Sequence, residues 1–264
     1  MNIREITKGA LTQARASLNP WAFRRLNEVT VNSFYNEASY YTWYGMKLLA
    51  VDGTRLMLPN HKTVREEFGE HHFGPKADSK RSMAMGSMLY DVLNHLTIDA
   101  EIAPYVSSER DLLMLHLEKV NKGDMLLLDR GYPCFWLLFL RIVKFKLPRK
   151  DRQKLSEYPH MLDTEISCRL IKVVLKNGDV EVLCTSLIDT EKYDINEFRK
   201  LYHNRWNEEE AYKLLKSRIE LEALSGKTAK AVKQDFHAKI FLLTMCAAYA
   251  HPIEEKVIRE YKAD

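Results

Sequence analysis

Apolar positions recur at helical spacing near both ends of the chain and at strand spacing between them. Residues 5–35 read as helical, with a break at Ser17-Leu18-Asn19-Pro20. Asn19 is the expected N-cap there, and Pro20 is the expected first helical residue, since its missing N–H would have no partner anyway. Residues 46–51 form a short apolar run ending in Asp52-Gly53, and 54–59 follow, which predicts a strand, a Gly turn and a returning strand. Residues 82–90 and 96–103 predict two more strands, the second alternating Ile98, Ala100 and Ile102 with Asp99 and Glu101. Ser108, with Asp111 three residues on, is a capping pattern that opens a helix carrying Leu112, Leu113, Leu115, Leu117 and Val120. Gly123-Asp124 ends it, and 125–128 read as a buried strand leading to Asp129.

Arg130-Gly131-Tyr132 and an apolar helix are expected next. Residues 169–176 and 180–185, joined by Asn177-Gly178-Asp179, predict a β-hairpin, because Asn-Gly suits a type I′ turn. From Asn196 to about Asp264 the pattern is helical, interrupted near Ser225-Gly226 and Pro252. Strands interleaved with helices predict an α/β or α+β sheet flanked by helices. With no internal repeat and no linker-like tract, residues 1–264 read as a single domain.

Composition narrows the class without naming it. A chain of 264 residues, 46% hydrophobic and 29% charged, is an ordinary globular sequence. Its four cysteines (Cys134, Cys168, Cys184, Cys246) form no C-x-x-C pair, which argues against a disulfide scaffold and a zinc site and for a reducing compartment. The N-terminus has no apolar stretch of signal-peptide length, and the most apolar run, 241–250, is half of the roughly 20 residues a membrane span needs. A cytoplasmic protein with no membrane partner is expected. The net charge of +4 permits nucleic-acid binding.

Two carboxylates share a context: Asp52 and Asp129 each end an apolar run of strand type and lie at or near a Gly. Acids at two strand ends can converge on a ligand, although each alone also suits a turn. Downstream, Tyr202, Arg205, Glu209 and Lys216 fall within about 60° of one another on a helix turning about 100° per residue. Leu201, Tyr212, Leu215 and Ile219 form an adjoining band expected to be buried. Such a stripe admits two readings, a solvated face laced with ion pairs or the edge of a site. Three carboxylates without a Cys or His cluster suit hard divalent cations, and two such ions roughly 3.5–4 Å apart can clamp the attacking and leaving oxygens of a phosphodiester. Arg205 and Lys216 would then bind the non-reacting phosphate oxygens, with Tyr202 on sugar or phosphate.

Asp52-Gly53-Thr54, Asp129-Arg130-Gly131-Tyr132 and the Tyr-x2-Arg-x3-Glu-x6-Lys spacing of Tyr202, Arg205, Glu209 and Lys216 together resemble the bacterial cut-and-paste transposases of insertion-sequence family four. The resemblance runs through nearly the whole chain. It implies a ribonuclease-H-like mixed sheet flanked by helices, with a β-rich insertion whose reduced remnant would span about 142–190. It implies Asp52, Asp129 and Glu209 as ligands of two Mg²⁺ or Mn²⁺ ions, and Tyr202, Arg205 and Lys216 as DNA-phosphate residues. Double-stranded DNA, both transposon ends and target, would be the substrate, held by a homodimer and cut, hairpinned and joined.

Three departures from that family stand out. Only 51 residues precede Asp52, family members extend beyond the position of Asp264, and Phe139-Leu140-Arg141 runs directly into 142–148 where a second core strand is expected. The junction reads as an internal deletion beside Asp129. The run 141–154 holds seven basic residues and one acid, and is either solvated or phosphate-facing. His71-His72, His95 and Trp206 take no role, a lone Trp on a helix being more often core. Lysines 230, 233 and 239 are expected to be mainly structural. Weak or incomplete transposition is therefore expected, the alternative being an inactive remnant that binds DNA without catalysis.

Overall fold

The computed structural model describes residues 7–74, 79–129, 169–174 and 180–261. The chain divides into two compact units, one of Met1–Leu127 with Asn207–Asp264 and one of Leu128–Trp206.

The first unit opens with α1 (Lys8–Ser17) and α2 (Trp21–Glu37). Thr7 caps α1 by accepting from the Ala10 amide at 3.2 Å. The Asn19 side chain accepts from the Trp21 amide at 3.2 Å, so the expected capping oxygen is used, although α2 starts one residue later than expected and Pro20 occupies the cap position.

The expected strand, Gly turn and returning strand is instead one uninterrupted strand, β1 (Leu48–Met57). Every residue from Leu49 to Met57 pairs antiparallel with β3 (Ser79–Asp91), Gly53 standing opposite Ser87. Gly53 marks a close approach here and makes no turn: a Cβ at this position would lie 2.5 Å from Cγ of Glu109. Asp52 therefore sits inside a strand, contrary to the strand-end position expected.

β4 (Leu96–Pro104) pairs antiparallel with β3 on its other side, with a bulge at Ile98, and β5 (Met125–Leu127) pairs parallel with β1, Ala50 opposite Leu127. Short β2 (Glu70–Phe73) follows α3 (Lys62–Phe68) and takes the start of β3. The order β4-β3-β1-β5, three antiparallel strands and one parallel, is that of a ribonuclease-H-like mixed sheet flanked by helices. α4 (Glu109–His116) carries the chain between β4 and β5, its Ser108 cap accepting from the Asp111 amide as the sequence indicates. Leu48, Leu49, Met88, Leu89, Leu96, Leu113 and Leu215 are fully buried in the core.

Helix α6 (Trp206–Ser217), from Asn207 on, and α7 (Ala229–Tyr261) complete this unit. α7 runs through Pro252 where an interruption is expected, even though proline leaves the carbonyl four residues earlier without its helical donor. The neighbouring His251 ring is buried and bonds to the Ser39 carbonyl at 2.6 Å, anchoring the helix there. Lys230 and Lys239 donate to main-chain carbonyls of Ala16 and of Glu220 and Ala223, and Lys233 pairs with Glu67, so all three act as internal pins.

The second unit contains the antiparallel hairpin β6 (Arg169–Val174) and β7 (Val180–Thr185), and α5 (Ile195–Asn204) capped by Asp194. Arg169 lies over the Phe198 ring and donates to the Tyr193 carbonyl, tying hairpin to helix. The Arg130-Gly131-Tyr132 segment with its expected helix, the junction at 139–148, the basic run 141–154 and the Asn177-Gly178-Asp179 turn lie outside the described residues.

Candidate active site

Asp52 is half-buried at the middle of β1. Its Oδ1 accepts from the Gly53 amide at 2.8 Å. Its main-chain carbonyl accepts two side-chain hydroxyls, Tyr212 Oη at 2.7 Å and Ser87 Oγ at 3.1 Å. Side chains alternate along a strand and cross-strand partners share a face. Asp52 thus stands in one row with Met88 and Ala100, and Gly53 in the adjacent row on the other face with Ser87 and Glu101.

α6 lies along β1 in the same sense. Asn207 donates to the Val92 carbonyl, Tyr212 to Asp52 and Lys216 to the Arg55 carbonyl at 3.0 Å. Glu209 is half-buried in the first turn of α6, where a carboxylate is favoured by the helix dipole, and it stands one turn before Tyr212. Of the band expected to be buried, Leu201, Tyr212 and Leu215 are, while Ile219 is half-exposed.

The stripe itself is divided. α5 ends at Asn204, Arg205 is its C-cap, and α6 begins at Trp206, so the single helix expected across Tyr202 to Lys216 is two. Tyr202 and Arg205 belong to the second unit, as does Asp129, which follows two residues after the last residue of β5. Arg205 is 7% exposed, its guanidinium 5.7 Å from the Tyr202 ring centroid and 5.1 Å from that of Trp206. Trp206 is half-exposed, so it is no core residue, and its ring serves as a face for Arg205.

Beneath Asp52, on the face of Gly53 and Ser87, lies a buried polar cluster that residue patterns did not single out. His116 is fully buried, its Nδ1 2.9 Å from Asp99 Oδ2 and its Nε2 3.1 Å from Ser87 Oγ. Arg24 reaches Asp99 at 3.2 Å and Glu101 at 2.5 Å. Burial pushes the Asp99 carboxyl up, and the hydrogen bond and charge of His116 with those of Arg24 outweigh it, holding Asp99 down at about 2. Burial raises Glu101 despite Arg24. The one sequence signal for this cluster is the Asp99 and Glu101 alternation in β4, whose polar side faces α2 and α4 rather than water.

Residues 43–245 match the Transposase DDE domain family. The chain belongs to that family. It is 25% identical over 256 residues to a transposase for insertion sequence element IS4, InsG, of Escherichia coli K12, covering 85% of this chain and 56% of that protein. A second relative from the same organism, the putative transposase InsZ, is 25% identical over 129 residues, 47% of this chain and 42% of its own. The chain spans about half the length of the curated relatives it matches. DDE transposase domains generally use divalent metal ions, the hard cations that carboxylate oxygens bind. Among the described residues no three His, Cys, Asp or Glu side chains are grouped to hold a metal ion, and no helix is long and apolar enough to cross a membrane.

Proposed function

We propose that this chain is the catalytic domain of a transposase that cleaves and joins DNA strands, acting in the bacterial cytoplasm on transposon ends and target DNA as a DNA-bound homodimer. The observation that carries the reading is the 2.7 Å bond from Tyr212 Oη to the Asp52 carbonyl, which ties the helix bearing Glu209 to the strand bearing Asp52. Asp129 is added by sequence position: it follows two residues after Leu127, the ladder partner of Ala50, as Asp52 follows two after Ala50. Asp52, Asp129 and Glu209 would hold two Mg²⁺ or Mn²⁺ ions. When bound, these would polarise the phosphodiester and activate the attacking oxygen, so no His is needed as a base.

The protein's own side chains orient the DNA. Lys216 is exposed in the last turn of α6 and meets a phosphate oxygen, while Tyr202 and Arg205 form a stacked pair for sugar and phosphate. The β6–β7 hairpin is the remnant of the β-rich insertion, within one catalytic domain spanning 1–264.

Electron paramagnetic resonance titration with Mn²⁺ tests the metal reading. The wild-type chain should take up Mn²⁺, and Asp52→Asn and Glu209→Gln should each lose it while keeping their thermal transitions. A wild-type chain that binds duplex DNA and takes up no Mn²⁺ would replace this reading with that of a DNA-binding chain without catalysis. In that binding assay, affinity should fall steeply with salt, and the Arg205→Ala/Lys216→Ala double variant should flatten the log–log slope by about two. An unchanged slope would assign DNA binding to other residues.

A further inference from the structure

Hydrogen bonds join the cluster beneath Asp52 into one continuous chain. A main-chain carbonyl only accepts, so Ser87 Oγ–H donates to Asp52 O. The same Ser87 oxygen lies 3.1 Å from His116 Nε2, so the ring and the Asp52 carbonyl share one hydroxyl. Asp99, held as a carboxylate between His116 and Arg24, accepts from Nδ1–H. Arg24, its side chain part-exposed, pairs with both Asp99 and Glu101 at the edge of this set.

The chain of bonds runs from Asp99 through His116 and Ser87 to the peptide that follows the Asp52 side chain. It meets Tyr212 Oη there, so the Asp52 carbonyl is bonded by a second hydroxyl from α6. α4, which carries His116, also carries Glu109, whose side chain lies across Gly53 where any Cβ would collide with it. One helix therefore braces the Asp52–Gly53 peptide at two points.

We propose that Asp99, His116 and Ser87 are positioning residues, a buried hydrogen-bond relay that fixes the Asp52 main-chain carbonyl and with it the direction in which the Asp52 carboxylate points. The consequence for function rests on the reading of Asp52 as a metal-binding acid; the relay itself does not. A strand peptide rotates about its neighbours by small changes in φ and ψ, and a ligand must be held within about 0.5 Å to serve two-metal chemistry. Two hydroxyl donors on one carbonyl resist that rotation. The carbonyl of Gly53, one residue on, has no such side-chain donor among the hydrogen bonds of the described residues.

The sequence supplies a clean reporter. Asp52-Gly53 is the only Asp-Gly dipeptide in the chain. Protein labelled with ¹³C at aspartate carbonyls and ¹⁵N at glycine therefore gives a single carbonyl–amide correlation, and it reads the Asp52 carbonyl directly. In Ser87→Ala this resonance should move upfield, the direction of a lost hydrogen bond, and His116→Gln and Asp99→Asn should move it the same way. Ser87→Thr, which keeps the hydroxyl, should restore the wild-type position. Leu113→Ala removes packing from the same helix without touching the relay, and it should destabilise the protein while leaving the resonance in place. An unmoved resonance in Ser87→Ala, or an equal movement in Leu113→Ala, would overturn the relay.

Mn²⁺ affinity is the second readout. With Asp52 as a ligand, Ser87→Ala and His116→Gln should weaken Mn²⁺ binding by about tenfold, the lower end of what outer partners of metal ligands contribute. Relay variants that shift the carbonyl yet bind Mn²⁺ as the wild type does would keep the relay and remove its bearing on metal. A wild-type protein without Mn²⁺ uptake would overturn the metal reading alone, the carbonyl resonance still deciding the relay.

Discussion

The two faces of the sheet at Asp52 are one residue apart along the chain and chemically opposite. On one, Asp52 shares a row with Met88 and Ala100, and Phe236 of α7 packs near Gly86 in the next row of that face. On the other, Ser87, Asp99 and His116 are buried, and part-exposed Arg24 closes over Asp99 and Glu101. The first face is held by packing, whose loss costs in proportion to the volume removed. The second is held by paired charges, where removing one partner strands the other and replacing both can be neutral. A paired network gives little net stability for its size, so its presence beside Asp52 makes more sense as a device for direction than as a source of stability.

The largest test of that contrast is His116→Ala, which leaves Asp99 and Ser87 without their shared partner. It should lower unfolding free energy by about 3–5 kcal/mol in urea titration. If it costs less than about 1 kcal/mol, the His116–Asp99 contact is not a stabilising buried pair. On the opposite face, Met88→Ala should cost about 2–4 kcal/mol through the cavity it leaves, with the Asp52 carbonyl resonance unchanged. A shifted resonance there would mean that packing, too, directs Asp52.

Acid should discriminate between the faces less strongly but cleanly. Burial, reinforced by Arg24 and only partly opposed by Asp99, pulls the His237 pKa from its usual range down to about 3. A histidine with a lowered folded pKa takes its proton more readily in the unfolded chain. Its contribution is complete above about pH 6.5 and is lost as pH falls toward 3, at no more than about 1.4 kcal/mol per pH unit. Asp99 adds a similar loss from about pH 4 down to 2, while the raised carboxyls of Asp91 and Glu101 act in the opposite sense. Because those terms are common to both proteins, the difference between wild type and His237→Gln isolates the histidine: the variant should lose less stability between pH 6.5 and 4. Parallel stability curves across that window would show that His237 stays uncharged in neither state or both.

The smallest expected effect is the most telling. Ser87→Ala should cost about 1 kcal/mol, because Tyr212 still serves the Asp52 carbonyl and only one hydroxyl is lost. Thermal unfolding with and without Mn²⁺ checks it: a stabilising shift by Mn²⁺ that shrinks in the variant more than its own stability loss would separate direction from strength.

Much of this was readable from local pattern. Ser108 caps its helix with its own side chain as the sequence indicates, and the two strands expected over 82–90 and 96–103 are present as a paired β3 and β4. Those features depend on residues three or four apart, or on cross-strand partners joined by a short turn. The acids of the candidate site were legible for a different reason, their spacing and their resemblance to a known family. What that spacing left out is how each is held.

The residues 1–264 by themselves determined most of the helices, the strands over 82–90, 96–103, 169–174 and 180–185, the mixed α/β class and the transposase family, because each of these is written in near-neighbour periodicity or in a motif of defined spacing. Only the tertiary structure decided that β1 runs straight through Gly53, since nothing near that glycine reveals that Glu109, 56 residues on, must cross it. Only it decided that the helix expected from Tyr202 to Lys216 breaks at Arg205, whose buried guanidinium lies against the rings of Tyr202 and Trp206, contacts that periodicity cannot foresee. And only it joined residues 24, 52, 87, 99, 116 and 212, because hydrogen-bond partners so distant in sequence become neighbours through ladder register and helix docking, which no local rule encodes.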